Sequence, residues 1–115
     1  MQEEIKNILI DNTKEYYKNA LEAEKRGQYN SAVTLFFKAL SALCDLYILT
    51  KENSIPSSHT ERFRILETKY PAIYEILDKD FPFYQDSYRA RLNKETSSML
   101  KEDVRKLSKI LGISL

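Results

Sequence analysis

A single glycine, Gly27, stands between the two longest apolar-periodic stretches of the chain. The residues from it onward run Gly27-Gln28-Tyr29-Asn30-Ser31-Ala32-Val33-Thr34-Leu35-Phe36-Phe37-Lys38-Ala39-Leu40. Before it, Ile5, Ile8, Leu9, Tyr16, Ala20 and Ala23 recur at three- and four-residue steps with Lys and Glu between them, the period of an amphipathic helix. Arg26 and Gly27 read as the end of that helix, because a cation in the last turn meets the negative end of the helix dipole and glycine accepts a left-handed cap. After the break, Ala32, Val33, Phe36, Ala39, Leu40, Leu43, Tyr47 and Ile48 form a broad apolar stripe, widened by Cys44 and Leu46. The pattern predicts helices over 3–26 and 30–50, lying antiparallel because so few residues join them. So wide a stripe belongs to a central helix touched on several sides, and Ala32, Ala39 and Ala42 let neighbouring helices approach closely.

The remainder of the chain continues in the same manner. With only 2 Gly and 3 Pro in 115 residues, a few long helices suit the composition better than many short strands. Residues 52–57 form a polar loop, and Ser58-His59-Thr60-Glu61 has the Ser-x-x-Glu form of a capping box that opens a third helix. Pro71 interrupts that helix and starts a short fourth one through Leu77. Phe81-Pro82 marks a further break. Thr96, Ser97 and Ser98 offer N-cap hydroxyls for a last helix carrying Leu100, Val104, Leu107 and Leu111 and ending at Gly112. The expectation is one all-α domain over residues 1–115, an up-and-down antiparallel bundle of five or six helices.

Eighteen basic and seventeen acidic side chains leave a net charge of +1, so the whole molecule has no field to gather polyanions and any nucleic-acid surface is a local patch. One cysteine, Cys44, in an apolar run excludes an internal disulfide and a cysteine-based zinc site. No cofactor or metal is expected. The sequence carries no signal-peptide pattern and no apolar run near the roughly 18 residues of a membrane span, which makes a cytoplasmic protein without a membrane partner the expectation.

Two family resemblances sit on quoted residues. Gly27, Tyr29, Ala32, Phe36, Ala39 and Leu40 resemble the second helix of a tetratricopeptide repeat, but no second copy follows, and such repeats need neighbours to cover their open faces. Over about residues 10–111 the chain resembles the HEPN superfamily of small all-helical archaeal and bacterial proteins. That resemblance lies in the long first helix, in the glycine turn into Ala32 to Leu40, in Pro56 to His59, and in Tyr88-Arg89-Ala90-Arg91 ahead of the last helix. It implies a helical bundle, commonly a homodimer, connected with RNA cleavage, RNA binding, nucleotidyltransferase partners or a toxin–antitoxin pair. Catalytic members carry an Arg followed by a His four to six residues on. Here Arg89 and Arg91 are followed by Leu-Asn-Lys-Glu-Thr-Ser-Ser-Met-Leu, with no histidine, so the general acid/base of the cleavage is missing from its place.

The sequence therefore predicts a non-catalytic HEPN-like interaction module for a protein partner, such as a nucleotidyltransferase, or for RNA. The alternatives are a metal-independent endoribonuclease that uses Arg89 or Arg91 with His59 recruited from the third helix, and a tetratricopeptide-like scaffold for a peptide. Tyr84, Tyr88, Arg89, Arg91 and Lys94 combine aromatic faces with cations, the chemistry of single-stranded RNA contact. Aromatics at helical spacing more often pack, so Tyr84 and Tyr88, with Phe81 and Phe83, read first as residues of the core or of a dimer seam, His59 as a partly exposed polar residue, and the arginines as partners of nearby acids. Lys101, Arg105, Lys106 and Lys109, broken by Glu102 and Asp103, read as a solvated face.

Overall fold

The structure, a computed structural model, describes residues 2–115. They form five helices, α1 (Gln2–Lys25), α2 (Tyr29–Glu52), α3 (His59–Lys69), α4 (Pro71–Asp86) and α5 (Lys94–Leu111), with no strand among the described residues. Gly27 closes α1 with φ +73°. The Gly27 N–H donates to the Glu24 carbonyl at 3.0 Å and the Gln28 N–H to the Ala23 carbonyl at 2.9 Å, the paired bonds of a Schellman cap that satisfy carbonyls the helix end leaves free. Gly112 ends α5 in the same way, with φ 72° and a bond from the Ile113 N–H to the Ser108 carbonyl.

The face that α1 buries is set by Thr13, Tyr17, Ala20 and Ala23. This corrects the expected stripe: Ile8 is 55% exposed and Tyr16 only partly covered, while Tyr17 packs its ring 5.8 Å from that of Phe36. Helix α2 is the core of the molecule and touches all four other helices. Ala32, Val33, Phe36, Ala39, Leu40, Leu43, Cys44 and Ile48 are wholly buried, and Phe37, outside the expected stripe, joins them. Its 24 residues include an 18-residue window of mean hydropathy 1.7, long and apolar enough to cross a membrane, contrary to the expectation that no such run exists. Two-thirds of that window, 67%, is covered by the rest of the bundle.

Two ion pairs fix α3 along α2. Arg62 grips Asp45 with bonds of 2.7 and 2.9 Å, and seven residues further along both helices Lys69 meets Glu52 at 2.8 Å. Equal steps in the same direction make α2 and α3 parallel, so the loop after α2 carries the chain back before α3 begins. The up-and-down alternation is broken at this one connection. Ser58 caps α3 as expected by accepting the Glu61 N–H, but Glu61 reaches back to the Ser57 N–H instead of that of Ser58.

The expected break at Phe81-Pro82 does not occur, because α4 runs on through Pro82 to Asp86. A proline here removes the bond to the Asp78 carbonyl, yet Pro82 and Asp78 are both exposed, so water reaches that oxygen. On the other face Phe81 packs 5.0 Å from Phe63, and Tyr84 stacks on Phe37 at 4.6 Å. Aromatic packing on both sides of the proline outweighs the lost bond. The cap of α5 is Asn93, whose Oδ1 accepts the Thr96 N–H at 3.0 Å, so Thr96, Ser97 and Ser98 lie inside the helix and not at its cap. Contacts of Ser97 with Glu24 and of Arg105 with Tyr17 run α5 antiparallel to α1 and bring its start to the Gly27 turn.

Candidate functional site

Because α5 starts where α1 ends, the segment joining α4 to α5 lies across the Gly27 turn. Between them is an open cleft of about 900 Å³, lined on one side by Gly27, Gln28, Tyr29, Asn30 and Ser31 and on the other by Tyr88, Arg89, Arg91, Leu92 and Asn93. Tyr88 is 72% exposed, and both arginines are exposed. Among the described residues neither Arg89 nor Arg91 meets a carboxylate. The start of α2 adds to the same sign of charge. Gln28 provides no side-chain cap and the first turn holds no acid, so the backbone N–H groups of Tyr29, Asn30 and Ser31 precede the first intrahelical bond, from Ala32 to Gln28. Unneutralised N–H dipoles at a helix start favour anions.

The position of the arginine segment is set by Asn30, a residue that sequence reasoning placed only as the start of a helix. Its amide bonds the backbone at Ser87, Ala90 and Leu92. Separations of 57 to 62 residues leave no local pattern that could have revealed it.

The other sequence-predicted residues are distributed around this cleft. Tyr84 belongs to the packed layer: its ring stacks on Phe37, and its hydroxyl meets that of Tyr88 at 2.9 Å, which together with burial pushes the Tyr84 phenol up to about 12. His59 does not line this cleft. It begins α3, lies with its ring 6.3 Å from those of Phe81 and Tyr84, and takes Arg62 at 2.8 Å on Nδ1. Burial and the adjacent guanidinium lower its pKa, favouring the neutral ring. Lys94 is the first residue of α5, just past the cleft, and its charge acts on Glu24. Burial by itself would raise Glu24, but hydrogen bonds from Lys101 and Ser97 hold its carboxyl below the usual range.

The basic run of α5 is partly neutralised, since Lys101 pairs with Glu24 and Arg105 with Glu102, while the Arg105 Nε donates to the Tyr17 hydroxyl. A second open cleft there, about 860 Å³, is lined by Tyr17, Arg105, Lys106, Lys109, Ile110 and Ile113 among others. No cluster of three metal-ligating side chains exists among the described residues. Chemically, then, the first cleft offers two free guanidiniums, backbone N–H groups and an open phenol ring. Groups of these kinds pair with phosphate and stack on bases in nucleic-acid contacts generally. Those of the cleft do not include a group that takes or gives a proton near neutral pH.

One further pair of acids lies inside the bundle. Asp80 of α4 is wholly buried, with no donor facing either carboxylate oxygen. Burial first, and then the neighbouring Asp103 carboxylate of α5, raise the Asp80 pKa far above the usual carboxylate range, which favours its protonated form. Lys79 approaches Asp103 from outside at 3.0 Å, an ion pair without hydrogen-bond alignment. Comparison with known proteins assigns no family to this arrangement: the chain matches no protein-family model, no curated protein and no solved structure.

Proposed function

We propose that the protein is a non-catalytic HEPN-like module that binds single-stranded RNA in the cleft between the Gly27 turn and residues 87–93. The observation that carries this reading is the presence of Arg89 and Arg91, both without acidic partners, beside the exposed ring of Tyr88. Arginine pairs with phosphate in a forked geometry, and a phenol ring accepts any base on its face. The absence of cleavage is supported by the setting of His59, whose Nδ1 is engaged with Arg62 and which does not line the cleft. A tetratricopeptide-like scaffold has less support, because α2, the helix that carries that resemblance, is packed against all four other helices.

The test is incubation of labelled single-stranded RNA with the protein in chelator, read for both mobility shift and RNA length. The reading expects shifted, intact RNA, and loss of the shift in the Arg89→Ala/Arg91→Ala variant. Shortened RNA would return the endoribonuclease. A shift that survives the double variant would remove the cleft. A second reading, contact with a protein partner such as a nucleotidyltransferase or a second copy of the chain, is favoured by one observation: Ile8, Ile110 and Leu115 are exposed at 55%, 55% and 43%.

A further inference from the structure

Asn30 commits its entire side chain to one stretch of backbone. Nδ2 donates to the Ser87 carbonyl at 3.0 Å and to the Ala90 carbonyl at 2.6 Å, and Oδ1 accepts the Leu92 N–H at 3.0 Å. Two donors facing carbonyls and one acceptor facing an N–H fix the orientation of the amide, since the flipped group would set like against like at every contact. A hydroxyl is too short to reproduce the set, and a carboxylate would turn both donor contacts into repulsions. Thr34 supports the near end, with its hydroxyl 2.9 Å from Ser87 Oγ.

The three anchored groups alternate with the two arginines: Arg89 lies between Ser87 and Ala90, and Arg91 between Ala90 and Leu92. Up to Ala90 the backbone still makes turn-like bonds, including Ala90 N–H to the Asp86 carbonyl at 2.8 Å. Beyond it the segment leaves helical geometry until Lys94. Its polar tie to α2 is the Leu92 bond to Asn30.

We propose that Asn30 is a positioning residue for the RNA cleft, holding the backbone on either side of Arg89 and Arg91 so that both guanidiniums are in place before RNA arrives. This rests on the RNA reading above. A loop already ordered does not lose its conformational freedom on binding, so affinity rises without any added contact to the ligand. Asn30 carries no charge, and its removal leaves both arginines in the chain. The loss therefore weakens binding by the same factor at every salt concentration. Removing an arginine also removes a released counterion, which makes the dependence on salt shallower.

The experiment compares wild type, Asn30→Ala and Arg89→Ala/Arg91→Ala. Each is titrated with a fluorescent single-stranded oligouridylate between about 50 and about 200 mM salt, and amide hydrogen exchange at Leu92 is measured without RNA. Asn30→Ala is expected to bind roughly tenfold more weakly along a line parallel to wild type, with faster Leu92 exchange. The arginine variant is expected to give a shallower line and wild-type exchange. Asn30→Ser, a residue well suited to a helix start, repeats the comparison so that a folding failure of the alanine variant does not decide the matter. Wild-type affinity together with wild-type Leu92 exchange in both Asn30 variants overturns the proposal. So does a slope as shallow as that of the arginine variant, which would make Asn30 a direct contact. If wild type binds no RNA at any salt, the RNA reading falls, and Leu92 exchange alone then decides whether Asn30 orders the segment.

Discussion

Replacing Asp80 by asparagine isolates the effect of one buried proton on the stability of the bundle. The groups that face Asp80 are Asp103 of α5, Lys79 of its own helix and, within electrostatic reach, the Cys44 thiol of α2. In the unfolded chain an aspartate titrates at 3.8, whereas burial and the neighbouring Asp103 carboxylate push Asp80 up to about 9 in the folded one. A raised folded value stabilises fully below the unfolded value, and that stabilisation is lost as pH rises through the folded one. Between about pH 5 and about pH 8 the folded state thus holds a proton that the unfolded state has released, and stability falls by about 1.4 kcal/mol per pH unit from this group. Over the window the loss reaches about 4 kcal/mol. In Asp80→Asn an amide of the same shape takes the place of the carboxyl and has no proton to take up or release. Urea unfolding of both proteins across the window provides the assay, and the shared titrations of Glu24, Glu52 and His59 cancel in the difference. The variant should gain on wild type by up to about 1.4 kcal/mol for every unit of pH. A difference that stays constant from acid to alkaline pH would refute the buried proton.

Three other perturbations test the fold. Arg62→Ala leaves Asp45 without its guanidinium in a site where the two side chains are 12% and 13% exposed, and should cost about 3 kcal/mol in denaturant unfolding. Arg62→Met combined with Asp45→Leu should recover most of that, and a double variant as unstable as the single one would contradict the ion-pair account. Gly27→Ala meets no atom within 4 Å, so its cost is the left-handed backbone alone, about 1 kcal/mol in thermal unfolding; a loss of several times that would mean the turn is more crowded than it stands. Cys44 is wholly buried and burial pushes its thiol far above the ordinary range. Its reaction with a thiol reagent should therefore follow the rate of global unfolding, and immediate labelling of the folded protein would show the core open.

Much of the helical hairpin was legible because its signals are local. The period of α2 from Ala32 to Ile48 and the glycines at 27 and 112 depend only on neighbouring residues. The signals that misled were local as well, overridden by contacts distant in sequence. Pro82 reads as a break until Phe37 and Phe63 are seen to hold the residues on either side of it. The fourth helix accordingly extends nine residues past Leu77, to Asp86. The hydroxyls at 96 to 98 suggest a start of α5 there, although Asn93 has equal capping chemistry a turn earlier and is the cap. Tyr17 rather than Tyr16 faces the core because Phe36 lies there. Of the candidate site, the Tyr88-Arg89-Ala90-Arg91 segment stands out in the sequence by its pairing of an aromatic ring with cations and by the family resemblance it carries. What it faces does not: the cleft exists because α5 begins beside the Gly27 turn, and Asn30 holds it through bonds that span most of the chain. The buried Asp80–Asp103 pair gave no signal either, since each aspartate reads as an ordinary surface residue until α4 and α5 are packed together.

On the proposed reading, single-stranded RNA lies in the cleft between the Gly27 turn and the segment from Tyr88 to Asn93. Ultraviolet cross-linking of single-stranded RNA to the intact protein, followed by digestion and mass spectrometry, locates the contact directly. A nucleotide adduct on the peptide carrying Tyr88, Arg89 and Arg91, lost in the Arg89→Ala/Arg91→Ala variant, is expected if RNA occupies the cleft. Adducts confined to the α5 peptides with Lys101, Arg105, Lys106 and Lys109, or no adduct under conditions in which RNA is bound, would contradict it.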